Sequence, residues 1–173
     1  MILSSAGHRD PSRRPQGPAC FRRRTVVHGC HHDHGPALDP LTGLSARDAL
    51  EALLTLDAKT APASSMACVL VDLVGLKQTN ILHGFTAGDA LLRRAAERLR
   101  SLAPDARLLA RLGGDELVAV FVGPTAAARA AEASAAAAAP ETPPLRAAWT
   151  ELKEGEPPTE LFDRLYAASR RGD

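Results

Sequence analysis

Two adjacent carboxylates at a glycine turn are the side chains of this 173-residue chain with the clearest capacity for chemistry. In the segment 111–118, Gly113 and Gly114 precede Asp115 and Glu116, and apolar residues lie on both sides. Glycine supplies the backbone conformation that short hairpin loops need, and it lets a phosphate approach closely. Neighbouring carboxylates repel each other unless a cation neutralises them. The pattern indicates either a β-hairpin with a divalent-cation site at its tip or an exposed acidic turn without a special role.

A third carboxylate lies upstream, near the end of a short apolar segment. Met66–Leu73 is apolar except for Asp72, which is typical of a strand buried on both faces. An acid at the end of such a strand can hold a metal ion at the edge of a sheet. Gly75 and Lys77 follow at once and would suit phosphates. The alternatives are an acid that caps the next turn and a solvated surface lysine.

The elements that position these residues follow from apolar periodicity and turn residues. A helix capped by Ser45 and running through Leu56 is predicted first. The later predicted elements are a strand at Met66–Leu73, a helix at 87–102, hairpin arms at 107–112 and 117–122, an alanine-rich helix capped by Thr125 and ending at Pro140, an edge strand at 145–150 and a helix at 159–170. Strands that alternate with helices, with one hairpin, predict an α/β two-layer sandwich.

Three separated segments resemble the GGDEF family of diguanylate cyclases, and they occur in the family's order. Residues 39–44 resemble its DxLTGL motif, residues 72–89 its nucleotide-binding segment, and residues 111–117 its signature hairpin. Residues 165–168 resemble its closing LYxAK helix more faintly. The resemblance covers residues 39–173. It implies the family's palm-like sandwich, a βαββαβ core similar to that of nucleotidyl cyclases, with a central sheet, flanking helices and the signature β-hairpin.

The resemblance also implies an activity. Two GTP molecules would be condensed to cyclic di-GMP, with release of pyrophosphate, at the interface of a homodimer. Each protomer would hold one GTP, and the 3′-hydroxyl of each GTP would attack the α-phosphate of the other. Mg²⁺ or Mn²⁺ would be the cofactor, because such ions stabilise the charge of the transition state and lower the pKa of the attacking hydroxyl.

The resemblance assigns roles to residues in three groups. The metal ligands would be Asp72, the Leu73 carbonyl, Asp115 and Glu116, and the three acids would be the catalytic residues. The phosphate-binding residues would be Lys77, the backbone of Gly75 and Leu76, and the hairpin glycines Gly113 and Gly114. Asn80 and Asp89 would bind guanine, and the carboxylate would accept hydrogen bonds from the N1–H and N2–H edge that adenine lacks.

Several residues depart from the family's pattern. Val74 and Ile81 stand where acids are usual, Phe85 stands where histidine is usual, and Ser169 replaces a phosphate-binding lysine. These departures leave open a second interpretation, in which the domain binds GTP without turnover and acts as a regulatory or interaction module. A structural domain with no ligand is a third.

Composition predicts one domain with a tail. Residues 1–38 are rich in Arg, Pro, Gly and His, and we expect this segment to be disordered. Its six arginines and two acids give a net charge of +4, which leaves about −3 for residues 39–173 and argues against a nucleic-acid partner. The His-containing stretch 28–34 fits no closed zinc pattern. No segment suits a membrane span or a signal peptide, and three cysteines are too few for a disulfide scaffold, so we expect a cytoplasmic protein with no membrane partner.

Overall fold

The computed structural model describes residues 37–60 and 65–170. The chain divides into two units, Met1–Asp33 and His34–Asp173, and all the described residues belong to the second. The predicted tail, with its arginines and the His-containing stretch, therefore lies outside the described residues except for Ala37 and Leu38. These two residues contact the folded unit, since Leu38 forms an isolated bridge with Ser45 and the Ala37 carbonyl accepts a hydrogen bond from Ala46 N.

The described residues form a five-stranded sheet with flanking helices, which confirms the predicted α/β fold class. The strands are β1 (Ser45–Ala46), β2 (Met66–Leu73), β3 (Leu108–Gly113), β4 (Glu116–Val122) and β5 (Leu145–Glu151). The helices are α1 (Arg47–Thr60), α2 (Leu76–His83), α3 (Phe85–Leu102), α4 (Ala126–Ala137) and α5 (Pro158–Ser169). The strand order is β1-β3-β4-β2-β5, with β1 parallel to β3 and the other neighbours antiparallel.

Strand β2 lies inside the sheet and is apolar on both of its faces, as predicted. Its residues alternate between two core clusters, because successive side chains of a strand point to opposite faces. Ala67, Val69 and Val71 pack on one face with residues of α3 and α4. Cys68 and Leu70 pack on the other face with residues of α1 and α5. The structure is therefore a sheet that carries helices on both faces.

Two local predictions were wrong, and one helix was not predicted. Ser45 does not cap α1, since it pairs with Ala110 in β1 and the helix begins at Arg47. Helix α2 was not predicted, and none of its residues is buried, so it has no apolar face that periodicity could reveal. Gly84, at φ +81°, separates it from α3, which begins at Phe85. Helix α4 ends at Ala137, before Pro140.

In the part of the chain that the structure describes, no helix has the length and apolarity that crossing a membrane requires.

Candidate active site

Three strands bring charged residues into one row across the sheet. Asp72, near the end of β2, pairs with Glu116 on β4 and with Arg146 on β5. Directly opposed residues of an antiparallel pair place their side chains on the same face, with Cβ atoms about 5 Å apart. The row lies on the face that α1 and α5 cover, at the level where β2 leaves the sheet. The register therefore gathers two acids and one base at a strand end.

The β3–β4 turn is fixed beside this strand end by its backbone. Leu73 N donates a hydrogen bond to the Asp115 carbonyl over 3.0 Å. Gly114 has a φ of +53°, in the left-handed region that favours glycine, and a register irregularity precedes it in β3. Arg111 donates two hydrogen bonds to the Gly114 carbonyl, from Nη2 over 2.7 Å and from Nε over 3.2 Å. These bonds hold Asp115 next to the end of β2.

Arg111 also connects the turn to the first described segment. Its Nη1 lies 2.8 Å and 3.1 Å from the two carboxylate oxygens of Asp39. Asp39 further accepts hydrogen bonds from Leu41 N, Thr42 N and the Thr42 hydroxyl. Burial raises the pKa of the Asp39 carboxyl, but the hydrogen bonds from Arg111 and Thr42 outweigh burial and leave that pKa below its ordinary value. The motif at residues 39–44 thus anchors the hairpin.

The strand end and the turn open onto a cavity of about 310 Å³, which we call the acidic cavity. It brings together six of the residues that the sequence assigned to the metal and the phosphates: Asp72, Leu73, Gly75, Leu76, Lys77 and Asp115. Gly75 has a φ of +85° and lies at the start of α2, so its backbone turns there without a side chain. Val74, Gln78 and Arg146 complete the lining.

A second cavity, of about 480 Å³, shares three of these residues, and we call it the apolar cavity. It is lined by Leu76, Lys77, Asn80, Ile81, Phe85 and Asp115. Phe85 is 79% exposed and Ile81 67% exposed, so both present apolar surface to solvent. The Asn80 Oδ1 atom is buried and has no hydrogen-bond partner among the described residues. The acidic cavity is therefore polar and the second cavity largely apolar, and Asp115 and Lys77 line both.

Four of the predicted site residues line neither cavity. Gly113 and Gly114 lie in the hairpin, and Asp89 lies on α3. Glu116 accepts a hydrogen bond from the Tyr166 hydroxyl of α5, with 2.9 Å between the oxygens. Burial, followed by this contact with Glu116, raises the pKa of Tyr166 to about 12. Glu116 is therefore held from the C-terminal helix, a contact that only the faint LYxAK likeness could have indicated.

The electrostatics of Asp72 favour a bound cation. Burial raises the pKa of its carboxyl, the charges of Asp115 and Glu116 raise it further, and Arg146 opposes the rise. Within residues 37–60 and 65–170, no three His, Cys, Asp or Glu side chains come together as a metal site of their own. Mg²⁺ is usually held by one or two carboxylates together with substrate phosphates and water. Asp72 and Asp115 in one cavity fit that requirement, with hard oxygen donors.

Another cavity, of about 590 Å³, lies along β5 and α5, away from these acids. Its arginine, Arg164, is already paired. Arg164 donates to Glu156 from Nε and Nη2, each over 2.6 Å, and to Thr150 Oγ1 over 2.5 Å. Its other charged lining residues are Glu151, Lys153 and Glu154, and none of them is among the predicted site residues.

The family described as "Diguanylate cyclase, GGDEF domain" matches the chain over residues 36–152, more than half of its length. The chain belongs to this GGDEF domain family. Among curated relatives, it is similar to an uncharacterized signaling protein of Caulobacter vibrioides, with 42% identity over 86 residues. That match covers 49% of this chain and 11% of the relative, so the chain spans about a tenth of that relative's length.

Solved structures support the same fold. The GGDEF domain of DgcB from Caulobacter crescentus, solved in complex with c-di-GMP, matches with a TM-score of 0.67 and 24% identity, covering 82% of this chain and 94% of that one. A sensory box/GGDEF family protein from Caulobacter crescentus CB15 matches with a TM-score of 0.62 and 31% identity, covering 78% of this chain and 96% of that one. The described sheet with flanking helices is therefore the fold of GGDEF domains.

Proposed function

We propose that this chain is a diguanylate cyclase domain, in which two copies each hold one GTP and condense the pair to cyclic di-GMP and pyrophosphate. One observation carries the proposal: Asp72, Asp115 and Lys77 line the same cavity, and that cavity adjoins an apolar one. Carboxylates suit the divalent ion of phosphoryl transfer, lysine suits the phosphates, and the apolar cavity suits a purine. Membership of the family supports the same assignment.

In the proposed reaction each chain binds and orients its GTP. Lys77 and the backbone at Gly75 and Leu76 would bind the β- and γ-phosphates at the start of α2. Asp72, the Leu73 carbonyl and Asp115 would hold Mg²⁺ or Mn²⁺. A bound divalent ion supplies charge neutralisation at the α-phosphate and a lower pKa for the attacking 3′-hydroxyl.

The remaining assignments concern the base and the third acid. The apolar cavity would take guanine between Ile81 and Phe85, with Asn80 in the same lining. Asp89 stays a proposed guanine contact. Glu116 would serve as a further acid beside the metal, in the orientation that Tyr166 gives it, and Gly113 and Gly114 would leave room for phosphate at the hairpin.

In each half-reaction the 3′-oxygen of one GTP forms a bond to the α-phosphorus of the other. The bond from that phosphorus to the pyrophosphate oxygen breaks, and the proton of the hydroxyl leaves to solvent. Two such steps close the ring and release two pyrophosphates. Since each chain supplies one cavity pair, two chains must face each other for either step to occur.

A second candidate function is GTP binding without turnover, as a regulatory or interaction module. Ser169 favours it, because it lies at the end of α5, outside both cavities, and offers no positive charge to a phosphate. The engagement of Glu116 by Tyr166 favours it as well, since a carboxylate held by a hydroxyl has one oxygen fewer for a metal ion.

One assay separates the possibilities. The full chain is incubated with GTP and either Mg²⁺ or Mn²⁺, cyclic di-GMP and pyrophosphate are measured, and GTP binding is measured in parallel. Formation of cyclic di-GMP from GTP but no cyclic dinucleotide from ATP is the expected result. Binding of GTP without product would establish the module instead, and absence of both would overturn both functions.

A further inference from the structure

Arg146 stands out among the residues of the acidic cavity, because no assignment from the sequence accounts for it. It lies on β5, the strand at the edge of the sheet, directly opposite Asp72. Seven consecutive residue pairs, from Ala67↔Glu151 to Leu73↔Leu145, fix the register of β5 against β2. The hydrogen bond from Val74 N to the Pro144 carbonyl, 3.0 Å long, continues this pairing past the end of β2. The backbone that carries Arg146 is therefore held rigidly at the cavity.

Two independent observations place the Arg146 side chain in the cavity with the acids. It is one of the residues that line the acidic cavity, together with Lys77 and Asp115. Its position directly opposite Asp72 in the β2–β5 pair also puts the two side chains on the same face of the sheet, with Cβ atoms about 5 Å apart. Arg146 is exposed on its other side, at the sheet edge, so a ligand that enters from solvent can reach it.

The charges of the cavity show why a second cation matters there. The charged residues of its lining are Asp72, Asp115, Lys77 and Arg146. Without Arg146 the lining would carry one net negative charge, and with Arg146 its acids and bases balance. Arg146 therefore makes the cavity one unit more positive for a triphosphate, whether or not a divalent ion is bound. Lys77 and Arg146 come from α2 and β5, so they lie on different walls of the cavity.

We propose that Arg146 is a phosphate-binding residue of the acidic cavity. It binds the triphosphate of the nucleotide from the β5 side, while Lys77 binds it from α2. The proposal rests on the proposed use of GTP at this site. A guanidinium offers a planar fork of N–H donors that can bind two oxygens of a phosphate at once, whereas an ammonium acts as a point charge. Arg146 would also supply a positive charge for the phosphates, which Ser169 at the end of α5 does not supply.

The competing explanation is that Arg146 serves only as the counter-ion of Asp72. The two roles predict opposite effects of removing the guanidinium. A phosphate-binding residue makes the affinity for nucleotide fall when it is lost. If Arg146 were only a counter-ion, it would compete with the divalent ion for Asp72. Its loss would then leave GTP affinity unchanged or increase it.

The test measures equilibrium binding of GTP, GMP and inorganic tripolyphosphate to the full chain in the presence of Mg²⁺. Arg146→Ala is compared with Arg146→Lys and with Arg93→Ala, whose arginine is exposed on α3 and lines neither cavity. Charge-assisted hydrogen bonds of this kind correspond to a loss of at least about tenfold in affinity. We expect Arg146→Ala to lose at least that factor for GTP and tripolyphosphate but little for GMP. Arg146→Lys should lose less, and Arg93→Ala should bind like the unaltered chain.

Several outcomes would overturn the proposal. Unchanged or tighter GTP binding by Arg146→Ala would assign the residue to Asp72 alone. An equal loss for GTP and GMP would show that the substitution perturbs the site as a whole, and Arg146→Gln with a thermal melt would show whether the fold had changed. If the unaltered chain binds GTP but makes no cyclic di-GMP, the cyclase proposal fails while this test still stands. If it binds neither GTP nor tripolyphosphate, both proposals fail.

Discussion

Asp72 is the residue at which the charges of three strands meet. Burial and the charge of Asp115 raise the pKa of its carboxyl, and Arg146 opposes that rise. Two carboxylates that share a cavity reach a stable state in one of two ways: one of them binds a proton, or a cation lies between them. The proposed cyclase uses the second way, and the first prediction follows from it.

Replacing Asp72 or Asp115 by alanine should abolish cyclic di-GMP synthesis while the fold is kept. Each carboxylate is proposed to hold the ion that stabilises transition-state charge, and that stabilisation is worth several kcal/mol, so we expect a rate loss of at least about a hundredfold. A circular-dichroism melt should shift little or upward, because a like-charge pair is relieved. Glu97→Ala, an exposed acid of α3, is the control. Synthesis near the unaltered rate by either variant would refute the metal assignment.

Gly88 gives a second prediction, about the base. A Cβ atom at this position would lie 1.8 Å from Asn80 Oδ1 and 2.8 Å from its Cγ, so Gly88→Ala must displace the Asn80 side chain. We expect a loss of GTP affinity and of the preference for GTP over ATP, with stability changed by no more than about 1 kcal/mol, since alanine itself favours the helix. Nucleotide titrations measure both affinities.

The matched variant for this prediction is Asn80→Ala. If Gly88 acts through Asn80, the double variant should be no weaker than Asn80→Ala alone, because the two changes remove the same contact. Additive losses would show that Gly88 affects GTP by another route.

The sequence predicted residues that follow a recognisable local pattern and missed those defined by contacts between distant segments. Asp72, Lys77 and Asp115 were identified from their neighbours in the chain, and the structure brings them to one cavity. Arg111 and Asp39 were both within recognised motifs, but their ion pair joins residues 72 positions apart and no periodicity reports such a contact. The role of Arg146 depends on the register of β5, which a single sequence does not specify.

At the scale of elements, one buried arginine holds together the end of α4 and the segment that leads to β5. Arg98 of α3 is only 9% exposed and donates hydrogen bonds to five backbone carbonyls. The acceptors are the carbonyls of Ala136, Ala137, Ala139, Glu141 and Pro143. The bonds to the carbonyls of Ala137 and Pro143 are buried, so this side chain satisfies two groups that water does not reach there.

Arg98→Met should therefore lower the free energy of unfolding by about 3 kcal/mol, because the buried carbonyls of Ala137 and Pro143 lose their donor. Urea unfolding followed by circular dichroism measures the change. Arg93→Met, an exposed site on the same helix, should change stability by no more than about 0.5 kcal/mol. An Arg98→Met change as small as that of Arg93→Met would show that water replaces the guanidinium at these carbonyls.

The connection between β5 and α5 supplies a prediction about pH. Burial raises the pKa of the Glu156 carboxyl, but hydrogen bonds from Arg164 and Lys153 N outweigh burial and leave that pKa below its ordinary value. A carboxyl with a lowered pKa in the folded state adds stability above its unfolded pKa, and this stability is lost as the pH falls through the folded pKa.

Glu156→Gln should accordingly be less stable than the unaltered chain at neutral pH, and its stability should depend less on pH between about pH 5 and pH 3. Thermal melts across that range measure both effects. Part of the dependence of stability on pH will remain, since Asp39 also has a lowered pKa. Parallel stability curves for the two proteins would contradict the role given to Glu156.

The elements that the sequence predicted well carry a strong apolar pattern, and those it missed do not. Strand β2 and helix α5 were placed to within a residue or two, because β2 is an unbroken apolar run and the buried residues of α5 recur with the helical period. Helix α2 has no buried residue, and β1 is two residues long, so neither leaves a periodic signal. Ser45 has the residue type and position of a helix cap, but its backbone pairs with β3 instead.

At the scale of the whole molecule, the α/β class could be predicted, but which helices cover which face of the sheet could not. An unbroken apolar strand such as β2 must be covered on both sides, and this much was evident from its composition. Which helices cover which face depends on how the strands are ordered, and in the order β1-β3-β4-β2-β5 only β3 and β4 are neighbours both in the chain and in the sheet. Only the family resemblance carried information about that order.

The last prediction concerns the whole molecule, because one chain provides only one of the two GTP-binding sites that the proposed reaction needs. Two GTP molecules in two copies must face each other, so the active species is a dimer whose population depends on protein concentration. Exposed Ile81 and Phe85 lie at the mouth of the apolar cavity, on the surface that a facing copy would approach. Specific activity of the 173-residue chain should therefore rise across the micromolar range and level off once the dimer dominates. Initial rates over a hundredfold dilution, with light scattering at the same concentrations, measure both quantities. A chain that is monomeric throughout and shows a constant specific activity would refute the two-copy mechanism.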